Sequence, residues 1–258
     1  YSLKPSQVEL IINADVIISL GSQTMEHWLD SQLSYNDNYT LIECKNMGEW
    51  NIPTGAISYV EYISENLVEI FPDLNESIQN NADLYINKIN KKTDELNERI
   101  ISKNFTDKKV IAMTWQKDFL EYFGLNVTFT YGPPQGLSAK DQLEIINQAK
   151  DQEISVIIDN LQSGTDFGAR VASETGKTHV IFSNFPEAVP GTDTYLEMID
   201  YNIDQLIKGI ETYESSRGEI SSLKNQLSSL ELQRNLFGII SVIFLISAII
   251  FYIMYKKK

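Results

Sequence analysis

Histidine and cysteine are almost missing from this chain. There are two histidines, His27 and His179, and one cysteine, Cys44. A single cysteine excludes an intrachain disulfide and leaves the redox compartment open. His27 sits in EHWL on a helical stretch and His179 opens a strand, so both read as structural or exposed. Cys44 has no histidine or second cysteine nearby and reads as a buried thiol. No nucleophile–base constellation is recognisable. There is no G-x-G-x-x-G fingerprint and no phosphate-binding loop, and GPPQG at 132–136 is a stiff turn. The chain is therefore read as not an enzyme. Basic residues are also scarce, 21 against 35 acidic, for a net charge of −14. Nucleic-acid binding needs basic patches, so it is excluded as a partner class. An acidic surface is compatible with attracting cations.

What is present begins with 43% apolar residues in 258, enough for a substantial core. Residues 236–255, LFGIISVIFLISAIIFYIMY, carry no charge. About 20 helical residues span the hydrocarbon core of a bilayer. Lys256, Lys257 and Lys258 follow, and lysines gather on the cytoplasmic side. The expectation is a single-pass cell-membrane protein with residues 1–235 extracellular and a cytoplasmic tail at 256–258. Tyr252 and Tyr255 fit one interface. Sequons at Asn38, Asn75, Asn104 and Asn126 permit that location. The chain opens on Tyr1, so a segment preceding it is expected.

The rest reads as α/β: two βα lobes with parallel sheets joined by a long backbone helix, then a stalk and one transmembrane helix. ADVIISLG (14–21) and YTLIEC (39–44) are strands, with helices around 25–33 and from Pro53 to Ile70. They form an N-terminal lobe at 1–74. Ile78, Ala82, Tyr85, Ile89, Leu96 and Ile100 keep helical spacing across 75–102, the linking helix. Strands at 109–115, 127–131, 154–159 and 178–183 alternate with helices at 116–123, 138–151, 164–175 and 192–213, giving a C-terminal lobe at 103–214. In 215–235, Ile220, Leu223, Leu227 and Leu230 fall at a and d positions of a short heptad pattern, a helical stalk through which two copies could associate.

Ligands of open parallel sheets bind at the carboxyl ends of strands. The candidates are Gly21–Ser22 and Cys44–Lys45 in the first lobe. In the second they are Met113–Thr114–Trp115, Tyr131–Gly132, Asp159–Asn160 and Ser183–Asn184. Asp159 closes the buried run ISVII, where a carboxyl group needs a partner.

Three stretches carry a family resemblance. KPSQVELIINADVIISLGSQTMEHWLDSQL, WNIPTGAISYVEYISENLVEIFPD and TDTYLEMIDYNIDQL follow one another in the order and spacing of a known group. Over about residues 1–213 the chain resembles the zinc- and manganese-type solute-binding proteins of ABC importers. The resemblance implies a ligand cleft between two lobes joined by a rigid helix, one divalent metal ion (zinc or manganese) as the bound species, and an ABC permease with its ATPase as partners. It also implies three histidine ligands and one acidic ligand. The first histidine would precede Tyr1. The second falls at Gly48, two before Trp50, and the third near Met113, before Trp115. The acidic position matches Asp159, and a further carboxylate position falls near Ser183 or Asn184. Metal candidates are thus Asp159, Met113 and Asn184. Met113 reads either as packing or as a soft thioether ligand suited to Cu(I). Trp115, Asn160, Ser183, Tyr131 and Trp50 are candidate contacts to an organic or complexed ligand.

The expected function is capture of a metal ion or metal complex for delivery to a permease. The alternatives are a same-fold binder of a non-metal ligand, or a surface structural or adhesion protein. A C-terminal anchor with an external domain suits an archaeal cell surface.

Overall fold

The computed structural model describes residues 3–20, 28–44 and 50–256. A short helix, α1 (Pro5–Ile12), leads into β1 (Val16–Ser19). Helix α2 (Leu29–Leu33) leads into β2 (Thr40–Glu43), which runs parallel to β1 with Val16 opposite Thr40. Helix α1 is a departure from the sequence reading. It begins at Pro5, whose fixed φ suits a first helical turn, but its eight residues are too few to display a helical period.

Two helices follow, α3 (Pro53–Ile70) and α4 (Asn75–Ser102). At 1.5 Å per residue the 28 residues of α4 extend about 42 Å. Ile89, Thr93, Leu96 and Ile100 bury one stripe of its C-terminal half. Its other end packs along α3.

The second sheet is formed by β3 (Lys109–Met113), β4 (Asn126–Tyr131), β5 (Ile154–Asn160) and β6 (Thr178–Phe182). All pairs are parallel, in the order β4-β3-β5-β6. Helices α5 (Lys117–Tyr122), α6 (Ala139–Ala149) and α7 (Asp166–Thr175) make the crossovers. Every residue of β5 is buried, as expected of a strand covered on both faces. One layer packs Val156 and Ile158 with Leu96 of α4, Phe119 of α5 and Ile203. The opposite layer packs Ile157 with Met113, Tyr131, Ile145 of α6 and Val171 of α7.

The last helix departs from the sequence reading in length. The closing helix of the lobe, the stalk and the apolar segment are one element, α8 (Tyr195–Lys256), of 62 residues. Its first turns lie on β5 and β6. Gly209 permits the close approach, because a Cβ there would run into Val180 and lie 3.3 Å from Val156 Cγ1. Arg99 of α4 pairs with Asp200, at 2.6 Å, and with Asp204. Burial opposes the Arg99 charge, but the two carboxylates outweigh it and raise its pKa. Past Arg217, Ile220, Leu223, Leu227 and Leu230 are exposed. The helix carries a stretch long and apolar enough to cross a membrane.

Candidate ligand cleft

The strand ends divide by the two-residue period of the sheet. Side chains alternate between faces, so Asp159 shares a face with Ile157, and Asn160 shares one with Val156 and Ile158.

Asp159 is fully buried. Its Oδ1 accepts a hydrogen bond from Tyr131 Oη at 2.7 Å, and Oδ2 lies 2.8 Å from His179 Nε2. His179 reaches it because β6 is in register with β5, Ile157 opposite His179. Gly168 of α7 closes the remaining side, since a Cβ there would lie 2.5 Å from Asp159 Cγ. Tyr131 packs edge-on against Phe167, with ring centroids 5.6 Å apart. Burial first, and then the nearby Asp159, raise the Tyr131 pKa well above that of a free phenol. The acid expected at the cleft is thus turned beneath α7, with a partner on each oxygen. Tyr131 and His179 go with it. The partner that a buried carboxyl group requires is a tyrosine–histidine pair inside the lobe.

The other strand-end residues gather between the lobes. Gln116 follows β3 through a 3₁₀ turn, and its Nε2 donates to Asn184 Oδ1 at 2.9 Å. Trp50, just ahead of α3, donates from Nε1 to the Asn184 carbonyl at 3.1 Å and lies against Phe185. The Asn184 amide donates to Gln162 Oε1 at 3.1 Å, and Gln162 Nε2 donates to Ser183 Oγ at 3.0 Å. Asn202 of α8 fixes Ser183, accepting from its N–H at 2.9 Å and donating to its carbonyl at 2.8 Å. Asn160 Oδ1 accepts from Ser163 Oγ at 3.1 Å. Tyr195 Oη donates to the Asn51 carbonyl at 3.2 Å, a second tie between lobes. Met113 is fully buried, and its sulfur accepts the Asn160 N–H at 3.2 Å. Trp115 is 47% exposed on the 3₁₀ turn.

Of the candidates, Trp50, Asn160, Ser183 and Asn184 come to this cluster. Met113 supports it from the core, and Asp159 and Tyr131 lie in the other layer. Sequence reading missed Gln116, Asn51, Gln162 and Asn202. Gln116 was one residue beyond a named strand end, and Asn51 is next to Trp50. Gly21–Ser22, His27, Lys45 and Gly48 lie outside the described residues. Cys44 is a buried thiol.

The chemistry of the cluster is that of neutral amides. Asn51, Gln116, Asn160 and Ser183 are almost wholly buried. Asn51 Nδ2 and Oδ1 and Asn160 Nδ2 have no hydrogen-bond partner. A buried polar group left unpaired costs roughly 1–3 kcal/mol. Zinc favours imidazole, thiolate or carboxylate ligands, whereas manganese takes carboxylate, carbonyl and water oxygens. Among the described residues no group of three or more His, Cys, Asp or Glu side chains converges to hold a metal ion. The amide cluster of the described residues therefore does not fit a bare zinc ion.

Two parallel-sheet units bridged by α4, with Trp50 and Asn51 of the first tied to Asn184 and Tyr195 of the second, define a two-lobed solute-binding protein. The family model "zinc-uptake complex component A periplasmic" matches residues 1–209, and the chain belongs to that family. Solved structures agree on the fold. A Mn-bound periplasmic metal binding protein from Candidatus Liberibacter asiaticus is 19% identical, with TM-score 0.67 over 83% of this chain and 86% of that one. Its Cd-bound form is 20% identical, with TM-score 0.67 and the same coverage. A crystal structure of ZnuA is 16% identical, with TM-score 0.66 over 81% of this chain and 85% of that one. No curated protein matches the chain.

Proposed function

We propose that this chain is the external, membrane-anchored solute-binding protein of an ABC importer, which captures a metal ion or metal complex between its lobes and delivers it to a permease. One observation carries the reading. The family match ends at residue 209 inside α8, and the same helix continues into a segment fit to cross a bilayer. A rigid helix would hold the lobes above the membrane at a fixed height. Residues 215–235 would add about 30 Å at 1.5 Å per residue. Lys256–Lys258 would keep the end of the span that they follow cytoplasmic. An archaeal cell surface suits this arrangement, and the Ile220–Leu230 seam offers a place for two stalks to pair. The permease and its ATPase are the partners this role requires.

Trp50, Gln116, Asn160 and Asn184 are the cleft residues of this reading, and Asp159 serves the frame of the lobe. A second reading, a same-fold receptor for a non-metal ligand, is favoured by the neutral amides of the cluster. Crosslinking in intact membranes tests the role. An ABC permease subunit should be recovered with the chain, and protease added outside should release residues 1–235. A chain that fractionates as soluble and crosslinks to no transporter would contradict the proposal.

A further inference from the structure

We infer that the stalk pairs in parallel and in register with a second copy of this chain, and that a basic cavity under the second lobe receives the partner's acidic stalk face. The inference rests on the membrane-anchored reading above and specifies one partner and its geometry.

The argument starts from one helix face. Ile220, Leu223, Leu227 and Leu230 are each more than half exposed. The stripe runs on within the same unbroken helix. Leu223, Leu230, Phe237 and Phe244 stand seven residues apart, as do Ile220, Leu227, Arg234 and Ser241. A strict seven-residue repeat winds helices about one another. Isoleucine at a with leucine at d, as in Ile220 and Leu223, favours two strands. Arg234, at an a position, stands just ahead of the apolar run, where its long side chain reaches water. Confinement to one bilayer raises the effective concentration of two stalks, so a short seam serves.

Anchoring also sets the direction, because both copies enter the bilayer the same way. In a parallel pair each g residue faces the e residue of the following heptad on the other helix. Glu219 is such a g residue and Lys224 is the matching e residue. Two-fold symmetry makes that contact twice.

The lobe supplies a second observation. Tyr213 Oη and Arg217 Nη1 both donate to the Gln152 carbonyl, at 3.1 and 3.2 Å, so the lobe itself covers this side of α8 down to Arg217. There a cavity of about 420 Å³ opens between lobe and stalk. Lys150, Lys177, Arg217 and Lys224 line it with Ile220, and no carboxylate does among the described residues. Four cations in one cavity are unexpected in a chain of 35 acidic and 21 basic residues. The hydrogen bonds of Lys150, Lys177 and Arg217 end on uncharged acceptors, Asn147 Oδ1 and the carbonyls of Asp151, Ile154 and Gln152 among them. Ile220 and Lys224 belong both to this cavity and to the seam. A helix seated on the seam therefore brings the partner's Glu219 to the cations.

Disulfide trapping of the full chain in its membranes tests the inference. Leu223→Cys and Leu230→Cys are oxidised singly with copper phenanthroline and air, and dimer is read on a non-reducing gel. Cys44 is buried, so the parent sets the background. Both variants should give at least tenfold more homodimer than Ser221→Cys and Asn225→Cys, at the outer b and f positions. Within the Leu223→Cys chain, Glu219→Lys should cut that yield at least fivefold and Lys150→Glu at least twofold. Adding Lys224→Glu to Glu219→Lys should restore most of it. Homodimer at only one of the two d positions would mean antiparallel or crossed helices and overturn the inference. Equal yields at all four positions, a yield that Glu219→Lys leaves unchanged, or capture of another protein in place of a second copy would each overturn it as well. None of these touches the importer role, which is read from the permease crosslink. A chain that leaves the membrane fraction and yields no homodimer removes both.

Discussion

Replacing Gly168 with alanine is a sharp perturbation of the second lobe. The added methyl would sit 2.5 Å from Asp159 Cγ and 2.8 Å from Oδ1, and closer still to Oδ2. Neither α7 nor β5 can withdraw without opening the layer that holds Phe167 and Val171. The carboxyl group must therefore rotate away from Tyr131 and His179. Steric overpacking costs roughly 1–3 kcal/mol. Unpairing the buried groups costs roughly 1–3 kcal/mol more. A total of about 2–6 kcal/mol is expected, a large fraction of the stability of a typical domain. Urea denaturation of the full chain in micelles, followed by tryptophan fluorescence, reads this directly, because Trp28, Trp50 and Trp115 all precede the stalk. Gly218→Ala is the control, since a Cβ there meets nothing within 4 Å. In an Asp159→Ala background the clash loses its partner, and Gly168→Ala should then cost under about 1 kcal/mol. A Gly168→Ala protein within about 0.5 kcal/mol of the parent would refute the placement of Asp159 beneath α7.

Further outcomes follow from the same contacts. The folded-state pKa of Tyr131 is raised, so its contribution is complete below about pH 10 and is lost as pH climbs toward the folded value. Tyr131→Phe should flatten part of that alkaline fall in melting temperature while lowering neutral stability by about 1–2 kcal/mol. Asp141 behaves oppositely. Ser138 caps α6, and its hydrogen bonds lower the Asp141 pKa. That contribution is present above about pH 3.8 and fades as pH falls toward the folded value. Ser138→Ala should cost about 1 kcal/mol in denaturant titration at pH 7. Arg99→Met should lower stability by under about 1 kcal/mol, less at high salt, because the pairs with Asp200 and Asp204 are partly exposed. Trp50→Ala removes the Asn184 tie and the Phe185 contact, and faster amide hydrogen exchange at the start of α3 should report the loosened lobe.

Much of the framework was legible because parallel strands covered on both faces leave continuous apolar runs. Val110–Ala112 and Val156–Ile158 are such runs, and both lie in strands. The helical spacing from Ile78 to Ile100 marked α4, because that helix buries one stripe. The unbroken course of α8 was not legible. Composition changes twice between residues 214 and 236, but a change from apolar to polar does not end a helix. No proline occurs there, and one glycine, Gly218, is tolerated. Position 159 was recognisable as a strand end needing a partner. Which layer it faces follows from its parity with Ile157, and which partner it meets depends on the β5–β6 register, which sequence does not display. The cleft shows the limit more strongly. Carboxamides are ordinary in turns, so Asn51, Gln116 and Gln162 carry no signal until the fold brings them together.

The most direct test of the cleft chemistry is a metal titration. The full chain would be stripped with a chelator and dialysed against zinc alone, and bound metal counted by elemental analysis. The account predicts well under one equivalent bound at micromolar metal and no shift in melting temperature. One equivalent of zinc per chain, with a rise in melting temperature that Asn184→Ala abolishes, would contradict it.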